Sequence, residues 1–190
     1  MPEPISMLDG AAASEGLTVA LQDLGPVGQI TLKGDLADPE LGSAVMDLVG
    51  VAPPGALRAT FQGERSAVWM APDELLLVLP YAETGAAVAQ LQNALAEQHA
   101  MAVDVSDARA VIRVSGEGAQ ELMAKGAPCD VSDRGFPVGT ARRTHFAEVA
   151  VGIWRREETL WEMVSFQSYA PHLFAWLRAS AGEASRVGHF

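Results

Sequence analysis

Cysteine is almost absent: Cys129 is the single thiol in 190 residues. That excludes an internal disulfide and any metal site built on paired cysteines. Basic residues are also scarce, with 13 Lys and Arg against 24 Asp and Glu and a net charge of −11. Such a balance argues against nonspecific attraction to nucleic acid or anionic lipid, both of which select basic surfaces. Long hydrophobic runs are missing too. The longest, Leu75-Leu76-Leu77-Val78-Leu79, is strand-sized and far short of the roughly 18 apolar residues that cross a bilayer. Residues 1–16 carry Glu3, Asp9 and Glu15 and no basic start followed by an apolar run, so they do not read as a secretory signal and the expected location is the cytoplasm.

What is present suits a packed core. Hydrophobic residues make up 49% and charged residues 19%, far from the composition that keeps chains disordered. The charge is uneven: residues 1–100 hold 3 Lys/Arg against 13 Asp/Glu, and residues 101–190 hold 10 against 11. Arg134, Arg142, Arg143, Arg155 and Arg156 crowd one stretch, either a solvated face balanced by nearby acids or a contact surface for a partner.

Residues 1–16 read as a flexible leader and 182–190 as a flexible tail. Between them, 17–22 and 27–33 alternate as strands around Gly25-Pro26. Asp38 then caps a helix with Pro39 in its first turn and Leu41, Val45 and Leu48 on one stripe, ended by Gly50. Three extended runs follow at 57–62, 67–70 and 74–79, the last apolar on both faces and expected at the centre of a sheet. A helix over 84–98 leads into a strand at 102–105. The second half repeats this grammar: a strand at 110–114, a helix over 117–125 stopped by Gly126, a loop at 135–139, long strands at 144–154 and 159–167 pairing around Arg156-Glu157-Glu158, and a final helix from Ser168 to about residue 181. The order predicts an α+β unit over 17–181 made of two ferredoxin-like halves, about 17–108 and 109–181, as one pseudo-duplicated unit.

No catalytic set assembles from the residues. His99, His145, His172 and His189 lack the spacing of a metal pair, and Cys129 follows a helix C-terminus rather than the N-terminus that would activate it. Ser115-Gly116-Glu117-Gly118 sits between a strand and a helix but lacks the full spacing of a phosphate loop; Ser115 as a cap and Gly116 as a turn fit better. Asp104 reads as a turn carboxylate beside Arg109, with acid/base work or contact to a pterin-like ring as the alternative. Trp154 falls on the strand face of Glu148, Ala150 and Gly152, either an exposed anchor for a partner or a side chain packed under a loop. With Arg142 and Arg143 before that strand and Arg155 and Arg156 closing it, these five residues are the candidate partner interface.

Further direction comes from Trp69-Met70-Ala71-Pro72-Asp73-Glu74-Leu75-Leu76, from Val103-Asp104-Val105-Ser106-Asp107-Ala108-Arg109 running on to Ser115-Gly116, and from Lys125-Gly126. Phe136-Pro137-Val138-Gly139 and Ser165-Phe166-Gln167-Ser168-Tyr169-Ala170 with Trp176-Leu177 complete the set. In order and spacing these resemble the sarcosine oxidase gamma subunit family, across residues 69–177. Two positions depart from that pattern: Ala127-Pro128 separate Lys125-Gly126 from Cys129, and Gln167 stands where arginine is usual. The resemblance implies a fold like the folate-binding domain of glycine-cleavage T-protein. It also implies a non-catalytic role beside alpha, beta and delta subunits in a complex that demethylates sarcosine to glycine with hydrogen peroxide and passes the one-carbon unit to tetrahydrofolate. FAD, FMN, NAD and tetrahydrofolate would belong to the large subunits and zinc to the smallest, leaving no cofactor or metal in this chain. The alternative is a stand-alone folate-binding protein using Asp104.

Overall fold

The computed structural model describes residues 6–16 and 18–188. The chain is α+β with two antiparallel sheets, and it divides into two compact units, Val27–Ser106 and the remainder on either side of it.

The inner unit opens with β3 (Val27–Lys33), preceded in the chain by β1 (Ala12–Glu15) and β2 (Val19–Asp23) of the outer unit. Helix α1 (Pro39–Val49) starts where expected: the Asp38 carboxylate accepts the Glu40 amide, Pro39 occupies the first turn, and Gly50 ends the helix in the left-handed conformation at φ 81°. β4 (Ala59–Gln62), β5 (Arg65–Ala71) and β6 (Glu74–Pro80) follow, then α2 (Thr84–Ala94) and β7 (Met101–Asp104). The sheet order is β4-β5-β6-β3-β7. The all-apolar run of β6 is therefore the middle strand, buried along its length as its two-sided hydrophobicity requires. Ile30, Leu32, Leu75, Leu77 and Leu79 pack with Leu41, Val45 and Leu91 of the two helices.

The outer unit holds β8 (Arg109–Ser115), α3 (Ala119–Gly126), β9 (Ala141–Phe146), β10 (Val149–Glu157), β11 (Leu160–Phe166) and α4 (Ala170–Ser180). Its sheet runs β1-β2-β8-β11-β10-β9. One face carries Ile112, Val114, Ile153, Trp161 and Met163 against Leu122, Met123, Leu173 and Leu177 of the helices.

Several expectations change. β2 pairs with β8 rather than with β3, so the first half begins at Val27, not at residue 17, and the second sheet takes its outer strands from the start of the chain. Part of the expected leader is a strand, because Ala12–Glu15 pairs with β2; residues 1–5 lie outside the described residues. The run 144–154 is not one strand. Ala147 and Glu148 both adopt positive φ, 46° and 71°, as a tight two-residue hairpin turn requires, and this splits it into β9 and β10. Ser115 does not cap α3: it ends β8, and Gly118 precedes the helix with no side-chain cap. Gly126 is the last helical residue, and a Cβ there would stand 2.5 Å from the Phe146 ring.

The tail is held. Within it, Glu183–Ser185 form a 3₁₀ turn, and the buried Glu121 carboxylate accepts the amides of Val187 (2.7 Å) and Gly188 (3.2 Å). Lys125 lies 3.6 Å from that carboxylate and donates to Ser180 O and Ser185 Oγ. The Val187 amide, more than any other group, draws the Glu121 pKa below the usual carboxylate value, with Gly188 and Lys125 adding to it against the opposing effect of burial. A depressed folded-state pKa gives stability that is present above the unfolded value and is lost as pH falls through the folded one. Acidification through that range should therefore free the Val187 and Gly188 amides to exchange while Glu121→Gln removes the pH step, a pair of outcomes readable by amide hydrogen exchange.

No helix among the described residues is long and apolar enough to cross a membrane.

Candidate partner interface

The turn at Ala147-Glu148 folds the arginine-rich region back on itself. Arg142 stands opposite Ile153 and Arg143 opposite Gly152, so these arginines lie beside the Trp154-Arg155-Arg156 end of β10 rather than at the far end of a single strand. The five expected interface residues are thus neighbours, but they are not equivalent.

Trp154 is 0% exposed, which corrects the expectation of an exposed anchor. Parity had placed it properly, on the face of Glu148, Ala150 and Gly152. Exposure failed because Glu162 stands directly across on β11 and accepts the indole N–H at 2.8 Å. Glu162 itself is 2% exposed. It also accepts from Arg113 Nε and Nη2 at 3.1 and 2.5 Å, and from Arg156 Nη1 at 3.4 Å. This buried carboxylate was missed in the sequence, where its signal was one acid in the otherwise apolar Leu160-Trp161-Glu162-Met163-Val164 run. A carboxylate at such a position costs stability unless it is paired and hydrogen-bonded.

Arg155 is equally committed inside the chain. Its side chain is 4% exposed and bridges to Asp133 Oδ1 at 2.7 Å, while the same guanidinium donates to the Phe136 and Glu158 carbonyls and stacks 5.2 Å from the Trp161 ring centroid. Arg156 is the extra residue of a bulge between Arg155 and Glu157, which turns it toward Glu162. Arg142 is half-buried and sits 5.4 Å above the Phe136 ring; Arg143 is exposed. Of the five, Arg143 is exposed and Arg142 and Arg156 are part-buried, and Arg142 and Arg143 lie on the edge strand β9.

The remaining candidates are scattered. Asp104 is exposed, and its Oδ1 accepts from the Ser106 amide (2.9 Å) and hydroxyl (2.5 Å), while Ser106 Oγ accepts from Gln29 N; this is the geometry of a turn carboxylate. Burial pushes the half-buried Cys129 thiol up despite the nearby Arg142, which keeps it protonated at neutral pH. Among the described residues no three His, Cys, Asp or Glu are grouped to hold a metal ion; His189 lies outside them. Gly116, at φ 112°, donates to Thr159 O, and a Cβ there would meet the Thr18 carbonyl at 2.0 Å. The glycine serves close backbone approach, not a phosphate. Gly116→Ala should lower stability by about 2–3 kcal/mol, the scale of a forced φ with a steric clash, as measured by urea unfolding.

With no reaction centre in view, relatives decide the reading. The sarcosine oxidase, gamma subunit family matches residues 33–183. The chain belongs to this family. A sarcosine oxidase subunit gamma of Corynebacterium sp. (strain P-1) is 30% identical over 171 residues, covering 87% of this chain and 83% of that protein. A chain of heterotetrameric sarcosine oxidase from Corynebacterium sp. U-96, solved in complex with pyrrole 2-carboxylate, superposes with a TM-score of 0.82 at 25% identity, covering 97% of this chain and 98% of the other. Glycine cleavage aminomethyltransferase T from Bartonella henselae matches with a TM-score of 0.65 over 86% of this chain and 46% of that one; at 15% identity this shows a shared fold.

Proposed function

We propose that this gamma-family chain is a non-catalytic subunit of a cytoplasmic heterotetrameric sarcosine oxidase, joined to alpha, beta and delta subunits. That complex would demethylate sarcosine oxidatively to glycine, form hydrogen peroxide and hand the one-carbon unit to tetrahydrofolate, with FAD, FMN, NAD, tetrahydrofolate and zinc held by the other subunits. The observation that carries the reading is the match to one chain of the solved heterotetramer over 97% of this chain and 98% of the other.

The architecture supports it. In the inner unit β7, β3, β6 and β5 lie side by side, and in the outer unit β2, β8, β11 and β10 do, each with an added strand beyond the last. Both orders place the fourth, first, third and second strands of a strand-helix-strand-strand-helix-strand repeat in sequence, which we read as two ferredoxin-like halves, the outer one borrowing its fourth strand from the chain's beginning.

Co-expression of the four subunits tests the role: omitting this chain should abolish recovery of the assembled oxidase, and full assembly with full activity in its absence would overturn it. Arg142 and Arg143 are the proposed edge of contact. Arginine at an interface rim steers encounter more than it holds the complex. Arg142→Ala with Arg143→Ala should therefore slow association and flatten its salt dependence while leaving the isolated chain folded, measurable by surface plasmon resonance at two ionic strengths.

A further inference from the structure

The inner sheet ends in an open edge. β7 pairs with β3 on one side, and no strand among the described residues pairs with its other side. The Val105 amide bonds to Gln29 O, and with Val103 opposite Thr31 and Met101 opposite Lys33, alternation turns the odd-numbered backbone groups toward β3 and those of Ala102 and Asp104 outward. The Ala102 carbonyl confirms this parity by accepting the Gln92 side-chain amide of α2 at 3.1 Å. An exposed glutamine thus occupies the place an incoming strand N–H would take.

Edges are normally blunted by lysine, proline or inward charge. No lysine or proline lies on β7, and Met101 is 47% exposed and Val103 41% exposed. Beside them a groove of about 310 Å³ runs between β7 and α2, lined by Leu91, Leu95, Ala96 and Ala102 together with the polar Gln92 and Gln98. An edge strand with an adjoining groove of mixed apolar and amide lining beside a helix is an arrangement that accepts an extended segment, whose backbone adds to the sheet and whose alternate side chains enter the groove.

Charge identifies the occupant. The inner unit has 3 Lys/Arg against 10 Asp/Glu, a net of −7. Between residues 91 and 104 the charged residues, Glu97 and Asp104, are both acidic, and the last turn of α2 carries no basic residue to offset its negative end. A second copy would bring the same −7 against it, so like-charge repulsion disfavours self-pairing. We infer that the β7 edge and its groove dock an extended, apolar segment flanked by Lys or Arg from another subunit of the oxidase, added as a sixth strand. This rests on the subunit assignment above and names a contact separate from the β9 arginines.

The test uses the co-expressed complex. Met101→Lys with Val103→Lys changes two exposed side chains, so the isolated chain should keep its melting temperature, while its retention by the tagged large subunits should fall at least about tenfold. Amide exchange at Ala102 and Asp104 should slow at least about tenfold when the wild-type chain assembles. Retention of the double variant at wild-type level, or unchanged exchange at those amides in the complex, overturns the inference and leaves the subunit assignment standing. Failure of the wild-type chain to be retained strikes the assignment itself, and the inference falls with it. A homodimer of the free chain that the double variant abolishes also overturns it, giving the edge to a second copy.

Discussion

Glu162→Ala should cost about 3–5 kcal/mol of stability, the scale of breaking a buried ion pair by removing one partner. The carboxylate is almost wholly enclosed and accepts from Arg113, Arg156 and the Trp154 indole. Alanine would remove the carboxylate that the Arg113 and Arg156 guanidiniums meet and leave a fully buried N–H without an acceptor. Glu162→Gln keeps the shape and one acceptor for the indole, and should fall between wild type and alanine. Urea unfolding reads the order through the midpoint at constant slope. An alanine variant within about 1 kcal/mol of wild type would mean that the network is worth no more than a surface pair.

That network also shows where the sequence stops being informative. Asp38-Pro39 and Gly50 announce α1 because capping is local chemistry within a few residues. The run Leu75 to Leu79 announces a central strand because burial on both faces leaves no room for polar alternation. By contrast, Ala147-Glu148 make a turn of positive φ without the Asn-Gly or Asp-Gly that would mark it, so β9 and β10 merged into one run. The partner of β2 is more than 85 residues away, a pairing decided by the completed sheet rather than by Gly25-Pro26. The interface set suffered from the same blindness. Strand parity puts Trp154 on the right face, but whether that face is wet depends on Glu162 across the ladder, which no periodicity reveals. Arg142 and Arg143 lie on the edge strand β9, one half-buried and one exposed, and remain proposed contacts.

The second large effect is expected at Trp161, and its comparison with Trp154 isolates one hydrogen bond. Trp161 is 0% exposed, with the Phe136 ring 4.8 Å away and the Arg155 guanidinium on its face. Trp161→Ala removes the surface on which both pack and should cost about 3–5 kcal/mol, as aromatic truncations in cores do. The indole Nε1 of Trp161 has no hydrogen-bond partner, whereas that of Trp154 donates to the Glu162 carboxylate at 2.8 Å. Replacing each by phenylalanine deletes the same atoms from an equally buried site, so the packing losses are alike and their difference reports the Trp154–Glu162 bond. Trp154→Phe should therefore be the more destabilising of the two by about 1.5–3 kcal/mol, the range for hydrogen bonds to charged groups. Equal losses in urea unfolding would show that Glu162 draws its stability from Arg113 and Arg156 alone.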